Sequence, residues 1–284
     1  MLELRPITQG IGTEVLGIDV TKPISDKDFD RIYDAWIDTT ILLIRGQDMT
    51  PDQHVDFTSR FGEVFAYTRS KFNEQERPEI LVLSNITKDG KPIGSPYSGR
   101  VWHSDGAYLE NPPAGSMLYA REVPPVGGDT WFGNMFGAYE ALPEETKERI
   151  EDLKVVISRV RSRPYNYPDR PAPTEKERAE WADVSHPMVR VHEVSGRKAL
   201  NVGGNVPWRI EGMSEDESTP LITFLQEVAV LPRFTYRHRW QVGDIILWDN
   251  RSAMHRATPY DETRTRRLMH RTTINGARSA RPAA

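Results

Sequence analysis

His103 and Asp105 are the residues of this chain whose types and spacing most directly indicate chemistry. In an extended segment, successive side chains point to opposite faces, so these two side chains share one face. An imidazole beside a carboxylate supplies two thirds of the 2-His-1-carboxylate triad, which holds Fe(II) and leaves coordination positions open. The ordinary alternative is a histidine at a strand end that bonds to a neighbouring aspartate. A metal centre therefore needs a second histidine from a distant part of the chain.

His255 is the best candidate for that second histidine. It follows the apolar run 245–248, which predicts a buried strand, and the end of a rigid strand holds a ligand in a fixed position. His270 is interpreted as a residue of the core or of the layer that surrounds the ligands, and not as a ligand itself. His54 is expected on the exposed face of an amphipathic helix. The other histidines on or near predicted strands have no carboxylate at ligand spacing and are interpreted as structural: His186, His192 and His238.

Two arginines lie near the end of the chain on a predicted strand. By the period of two, Arg267 and Arg271 share a face with Met269. Two guanidinium groups on an otherwise apolar strand are costly to bury without anions, and the planar guanidinium grips a carboxylate through two parallel hydrogen bonds. The pattern therefore predicts a carboxylate-binding pair, with a salt-bridged outer strand as the alternative.

Several motifs with matched spacing resemble the taurine dioxygenase / aryloxyacetate dioxygenase (TauD/TfdA) family, in the order in which that family has them. The resemblance extends from Gly10-Ile11-Gly12 and Ile44-Arg45-Gly46-Gln47 to the last predicted strand. The motifs are Trp102-His103-Ser104-Asp105, Pro125-Val126-Gly127-Gly128-Asp129-Thr130, Trp248-Asp249-Asn250-Arg251 with His255, and Arg266-Arg267-Leu268-Met269-His270-Arg271.

The resemblance implies a role for individual residues. It implies that the iron ligands are His103, Asp105 and His255. It further implies that Thr130 and Arg267 bind the distal carboxylate of 2-oxoglutarate, and that Arg271 faces the substrate anion. The loop before the arginines is one residue longer than the family pattern, so Arg266 is the alternative to Arg267.

The implied activity is that of a dioxygenase that uses Fe(II), 2-oxoglutarate and O2. It hydroxylates a small anionic organic substrate while 2-oxoglutarate is oxidatively decarboxylated to succinate and CO2. Gly99 stands where taurine-oxidising members carry an asparagine, so the expected substrate is an aryloxyalkanoate, alkyl sulfate or sulfonate rather than taurine. Lys71 and Lys91 are candidate cations for the substrate anion, and both are also interpretable as solvated lysines.

Two rival functions use the same residues. A His/Asp metal-dependent hydrolase or isomerase needs the metal ligands but no 2-oxo acid, so Arg267 is dispensable for it. A catalytically inactive binding module on the same fold is disfavoured, since the triad, Thr130 and both arginines are present.

The bulk composition excludes several protein classes. The 284 residues are 38% hydrophobic and 27% charged, with a net charge of -4 and no cysteine. The balance does not favour nucleic-acid binding, and no apolar run is long enough for a membrane span. Disulfides, zinc–thiolate and iron–sulfur sites are excluded. The absence of a signal-peptide pattern at the start favours a cytoplasmic protein.

The elements that must position these residues are many short strands with few helices. Strands are predicted over 41–44 and 155–161, and helix starts at Ser25, Thr50 and Ser214, the last helix with Phe224 on its apolar face. This pattern predicts a mainly β fold with surrounding helices, specifically a double-stranded β-helix (jelly roll), which can enclose a site between its sheets. We expect one domain over 1–284, with a flexible lid at about 65–100 and a Pro-rich excursion at about 164–187. The first helix and the excursion are candidate contacts in a homo-oligomer.

Overall fold

The computed structural model describes residues 1–66, 72–74, 76–96, 99–166, 171–202 and 207–275. The strands are β1 (Glu3–Pro6), β2 (Thr13–Leu16), β3 (Ile41–Ile44), β4 (Leu81–Ser84), β5 (Thr87–Lys88), β6 (Lys91–Pro92), β7 (Gly115–Glu122), β8 (Thr130–Asn134), β9 (Lys154–Ile157), β10 (Val184–Pro187), β11 (Val189–Val191), β12 (Lys198–Leu200), β13 (Pro207–Ile210), β14 (Thr235–His238), β15 (Ile245–Asp249), β16 (Ala253–Ala257) and β17 (Leu268–Ile274).

The helices begin in most cases at a capping side chain, but the helix after Pro143 has no side-chain cap. They are α1 (Asp26–Thr39), α2 (Pro51–Ser59), α3 (Met135–Glu140), α4 (Glu144–Ile150), α5 (Arg159–Asn166), α6 (Glu175–Glu180) and α7 (Glu215–Ala229), with a 3₁₀ turn at Pro232–Phe234. Ser25 accepts a bond from the Asp28 amide at the start of α1. Thr50 and Ser214 each form a reciprocal capping box with the third residue of the following helix. These three predicted starts are confirmed.

A seven-stranded sheet forms the centre of the molecule, in the order β1-β2-β3-β15-β7-β17-β4. Its pairs are antiparallel except for β2 with β3. Helices α1 and α2 pack against one face, where Trp36 and Phe61 meet Met117 and Leu247 of the sheet. The predicted buried strand of Ile41–Ile44 is confirmed, with all four residues buried.

The other face of the large sheet meets a smaller one. This sheet has the order β14-β8-β16, and its Phe132 and Ala253 pack with Leu118, Trp248 and Met269 of the large sheet in one apolar cluster. Two sheets with helices outside them agree with the predicted mainly β class. His255, on β16 of the small sheet, lies between the two sheets with its ring against Trp248 of the large sheet.

A third region packs beside the small sheet. The antiparallel strands β10-β9-β13 and the pair β11-β12 share a buried apolar cluster with α3 and α7. The excursion expected at about 164–187 contains α6 and rejoins the fold through β10, which pairs with β9.

Three local predictions are wrong. A strand was expected over 155–161, but β9 ends at Ile157 and α5 follows, because Ser158 bonds to the Arg161 amide and starts the helix. His54 is 1% exposed rather than on the surface, since α2 packs it against Thr272 of β17. Phe224, expected on the apolar face of α7, is 42% exposed.

The segment expected to be a lid is partly tied to the large sheet. Strand β4 is its edge strand, β5 and β6 form a hairpin, and the Ser95 amide bonds to the Val82 carbonyl. A lid role for about 65–100 stays a prediction, and residues 67–71, 75, 97 and 98 lie outside the described residues. Among the described residues, no helix is long and apolar enough to cross a membrane.

Candidate active site

His103 and His255 are joined through their backbones although they lie far apart in the sequence. The His103 amide donates to the His255 carbonyl (3.0 Å), and the His255 amide donates to the His103 carbonyl (2.9 Å). Their ring centroids are 4.2 Å apart. His255 is held on β16, with its ring against those of Trp248 and Phe132 at 4.6 and 6.1 Å. The predicted convergence of the two histidines is confirmed.

Asp105 reaches the same point, but by a different local structure from the expected one. His103 forms a single β-bridge, and the chain then turns at Gly106, whose φ is +64°. Oδ1 of Asp105 lies 3.8 Å from Nε2 of His103 and 4.0 Å from Nε2 of His255. One ligand atom from each of the three residues lies within 4.8 Å of the others, a spacing that suits a shared metal ion.

The hydrogen bond of His103 fits metal binding, whereas the nitrogen of His255 that is remote from the triad has no such partner among the described residues. Nδ1 of His103 donates to the Val101 carbonyl at 2.8 Å, which leaves the Nε2 lone pair unshared. Nδ1 of His255 is buried with no hydrogen-bond partner among the described residues. Burial, followed by the neighbouring His103, lowers the pKa of His255 to about 3, so this ring is neutral and able to act as a ligand at neutral pH.

The carboxylate is charged in spite of its burial. Asp105 is 8% exposed, and burial alone would raise its pKa. Arg271, His255 and His103 nevertheless lower that pKa well below its usual range. Nη1 of Arg271 donates to Oδ1 at 3.1 Å, so this arginine contacts a triad member directly.

Thr130 lies on β8, which pairs with the strand β16 that carries His255, and Arg267 contacts the segment just before β8. Thr130 is buried at the start of β8 opposite Ala257, and its hydroxyl accepts a bond from Trp240 Nε1 at 3.0 Å. Nε of Arg267 donates to the Gly128 carbonyl at 3.3 Å. Burial lowers the pKa of Arg267 to about 10, although Tyr260, Asp129 and Glu262 act in the opposite direction.

Arg267 lines a cleft together with Ser95 and Tyr260, whereas Arg266 faces outward. Arg266 is exposed and pairs with Glu122 at 2.9 Å. The face-sharing argument made from the sequence does not extend to Arg267, because β17 begins at Leu268 and its register shifts between Leu268 and Met269. Arg267 is favoured over Arg266 as the anion-binding group because it lines the cleft while Arg266 is exposed, and not because of the two-residue period of a strand.

Of the two lysines expected near the substrate, Lys91 is among the described residues and Lys71 is not. Lys91 is exposed on the β5–β6 hairpin, and its role stays a prediction. Lys71 lies outside the described residues. The histidines interpreted as structural are buried: His192 and His238 pair with Asp249 and Asp244 at 3.0 and 2.9 Å.

Two residues to which the sequence analysis gave no individual role contact Asp105, although Asn250 belongs to one of the quoted motifs. Ser116 donates to Oδ2 at 2.9 Å, and the Asn250 side chain bonds to both backbone groups of Asp105. The signal for Ser116 was a lone hydroxyl in an apolar strand, and that for Asn250 was a polar residue directly after a buried strand. Neither signal is specific to a site.

Comparisons with known proteins agree with this geometry. The model of the taurine catabolism dioxygenase TauD, TfdA family matches residues 3–273. An alpha-ketoglutarate-dependent 2,4-dichlorophenoxyacetate dioxygenase of Cupriavidus pinatubonensis is 33% identical over 96% of this chain and 98% of that enzyme. An alpha-ketoglutarate-dependent sulfate ester dioxygenase of Pseudomonas putida is 31% identical over 97% and 90% of the two chains.

A solved structure extends the likeness to three dimensions. The crystal structure of AAD-2 in complex with Mn(II) and N-oxalylglycine has a TM-score of 0.82, with 30% identity over 98% of both chains. The motifs, the convergent His-Asp-His set and the family match over nearly the whole length lead to one conclusion. The chain belongs to the TauD/TfdA family of dioxygenases.

Proposed function

We propose that this protein is an Fe(II)- and 2-oxoglutarate-dependent dioxygenase that hydroxylates a small anionic organic substrate of the aryloxyalkanoate, alkyl sulfate or sulfonate type. Hydroxylation is coupled to oxidative decarboxylation of 2-oxoglutarate to succinate and CO2. The observation that carries the proposal is the convergence of His103, Asp105 and His255 at ligand spacing. The names of the relatives, which act on 2,4-dichlorophenoxyacetate and on sulfate esters, support this substrate class over a hydrolase or isomerase that uses no 2-oxo acid.

In this proposal His103, Asp105 and His255 hold the metal. Two imidazoles and one carboxylate form the donor set of the non-haem Fe(II) oxygenases, and Nε2 of each ring faces Oδ1 of Asp105. When bound, the iron supplies the oxidative chemistry together with O2 and the 2-oxo acid. The rings of Trp248 and Phe132 beside His255 keep that part of the site apolar and exclude water.

Thr130 and Arg267 bind the distal carboxylate of 2-oxoglutarate in this proposal. The support is electrostatic: among the described residues no carboxylate oxygen lies within 4.0 Å of the Arg267 guanidinium, which stays charged at a cost. A dicarboxylate in the adjoining cleft would supply the missing anion through a bidentate pair. Thr130 lies two residues after Gly128, whose carbonyl Arg267 contacts, and it adds a hydroxyl donor.

Arg271 is proposed to face the anionic group of the substrate, with Lys71 and Lys91 as further candidate cations. The supporting observation is that Arg271 lies at the triad itself, so a substrate anion near it would be held beside the metal. Its second function is to hold the Asp105 carboxylate in the charged form, which the contact at 3.1 Å supports.

We also propose that the two sheets form the jelly roll that is expected for this family, in one domain over 1–284. The cluster between the large and small sheets supports this architecture. A cytoplasmic location and a homo-oligomeric state stay predictions from the sequence.

The test is the release of succinate by the iron-loaded protein with 2-oxoglutarate, across aryloxyacetates, alkyl sulfates and sulfonates. We expect turnover above the uncoupled background with at least one of these classes. Addition of 2-oxoglutarate to the anaerobic Fe(II) protein should also produce a weak visible charge-transfer band, which a zinc hydrolase would not give. Uniform lack of turnover would reject the substrate class, and the absence of the band would reject the dioxygenase.

A further inference from the structure

Asp105 is fixed by residues outside the metal-binding set. The Asn250 side chain accepts a bond from the Asp105 amide (2.8 Å) and donates to the Asp105 carbonyl (2.6 Å). The side-chain amide of Asn250 also donates to the Pro113 carbonyl at 3.0 Å. Asn250 is 1% exposed, so water does not compete for these bonds. The backbone of the ligand-bearing turn is therefore clamped before a metal arrives.

The carboxylate of Asp105 is fixed as well. Ser116, fully buried in β7, donates from Oγ to Oδ2 at 2.9 Å. Oδ1 is the oxygen that faces Nε2 of both His103 and His255. A carboxylate can turn about its last bond, and Ser116 opposes that rotation by holding the oxygen on the far side.

We propose that Ser116 and Asn250 are positioning residues of the metal centre. Ser116 fixes the plane of the Asp105 carboxylate so that one oxygen is presented to the metal, and Asn250 sets the position of the Asp105 backbone. The inference rests on the proposed function, because it takes the His-Asp-His set to be a metal site. It goes further because it assigns the geometry of that site to two residues, Ser116 and Asn250, that do not themselves bind the metal.

The surroundings of Asn250 make it a rigid support. It follows Asp249, which is fully buried and bonds to Arg251 through both carboxylate oxygens at 2.9 and 2.6 Å. Nε2 of His192 bonds to the same carboxylate at 3.0 Å. The turn from β15 to β16 is thus pinned on one side by this ionic cluster, and its other side carries the Asn250 clamp. The same turn leads into His255, so one short segment sets the positions of two ligands.

Arg271 does not replace Ser116. Its Nη1 bonds to Oδ1, the oxygen that faces the imidazoles, whereas Ser116 bonds to Oδ2. Without Ser116, Arg271 holds the carboxylate at one oxygen only, and the plane of the carboxylate can turn. The loss should therefore affect metal binding more than folding, since Ser to Ala removes one buried hydroxyl with little change in volume.

The experiment is an anaerobic titration of the metal-free protein with Co(II), followed by the visible absorption of the bound ion. Groups that orient metal ligands are worth 10–100-fold in metal affinity, so we expect Ser116→Ala to weaken Co(II) binding by about that factor. The absorption bands of bound Co(II) should also change shape, because a carboxylate free to rotate changes the ligand geometry. If the role of Ser116 were purely structural, its replacement would change neither the Co(II) affinity nor the shape of the absorption bands.

Ser252→Ala is the matched control. Ser252 is fully buried in the same turn as Asn250, and its hydroxyl has no hydrogen-bond partner among the described residues. This variant should bind Co(II) with the affinity and spectrum of the wild type. Asn250→Ala should weaken Co(II) binding by a similar 10–100-fold. Far-ultraviolet circular dichroism establishes that each variant is folded before titration.

The outcomes separate the inference from the function on which it rests. A folded Ser116→Ala protein with wild-type Co(II) affinity and spectrum would overturn the positioning role alone. A wild-type protein that binds no Co(II) at all would overturn the metal centre, and with it the proposed function. Loss of affinity in Ser252→Ala equal to that in Ser116→Ala would also overturn the inference, because any buried serine of this region would then have the same effect.

Discussion

Replacement of Arg267 by methionine should stabilise the protein and remove its response to 2-oxoglutarate. The folded state lowers the pKa of Arg267 to about 10, chiefly through burial. At neutral pH the side chain is charged in both the folded and the unfolded state, so the whole penalty is present. The lowering corresponds to roughly 3 kcal/mol, which we reduce to about 2 kcal/mol because the side chain is partly exposed and screened.

Methionine has a similar length and no charge, so the free energy of unfolding of the metal-free variant should rise by up to about 2 kcal/mol. For a domain of this size, that gain raises Tm by about 4 °C. In the wild type, 2-oxoglutarate at 100 times its Kd, with Mn(II) present, adds about 2.7 kcal/mol of stability. Loss of a buried charged partner costs about 2 to 5 kcal/mol, at least 30-fold in affinity, so the variant should gain less than about 1 kcal/mol at the same concentration.

The assay is thermal unfolding of each protein with Mn(II), with and without 2-oxoglutarate. Arg266→Met is the matched control, since that neighbouring arginine is exposed and pairs only at the surface with Glu122. It should change stability by less than about 0.5 kcal/mol and keep the full response to 2-oxoglutarate. The reasoning is refuted if Arg266→Met loses the response while Arg267→Met keeps it, or if Arg267→Met lowers Tm by several degrees.

Three further predictions concern the rest of the fold and site. Burial, followed by the charges of His270 and Arg121, lowers the pKa of His54 to about 3, so the stability that its neutral form provides is complete above about pH 6.5 and falls with pH toward 3. The free energy of unfolding, measured with urea, should fall between pH 7 and pH 5 by about 2 kcal/mol less in His54→Leu than in the wild type. An equal fall in both proteins would contradict this origin. His255→Ala should abolish tight Co(II) binding with the circular dichroism spectrum retained; global unfolding would instead indicate a structural role. Asp249→Asn leaves the Arg251 charge without its buried partner and should cost about 3 to 5 kcal/mol by urea unfolding, whereas a cost under 1 kcal/mol would show that the pair is not needed.

The spacing of chemical residues was the most informative part of the sequence. His103, Asp105 and His255 were identified from residue types and a family pattern, and they converge. The local reason given for His103 and Asp105 was incomplete, because a turn at Gly106 rather than a continuous strand brings Asp105 into place. A short turn and a strand end can orient two side chains alike, and residue spacing alone does not distinguish them.

Properties that depend on packing between distant segments could not be predicted. His54 was assigned to the surface because its helix is amphipathic and histidine is polar, yet Thr272 of β17 provides it with a partner 218 residues away. The register shift at the start of β17 likewise has no signature in the sequence. Hydrophobic periodicity indicates which face of an element is buried, but it does not indicate which polar groups meet inside.

The mutual backbone pairing of His103 and His255 has a consequence for biosynthesis. The two halves of this contact leave the ribosome 152 residues apart (255 minus 103), so no nascent chain shorter than about nine tenths of the protein can assemble the complete donor set. Contacts of such long range form late and slowly. If the three residues bind iron as proposed, capture of the ion is deferred until the polypeptide has closed around its site.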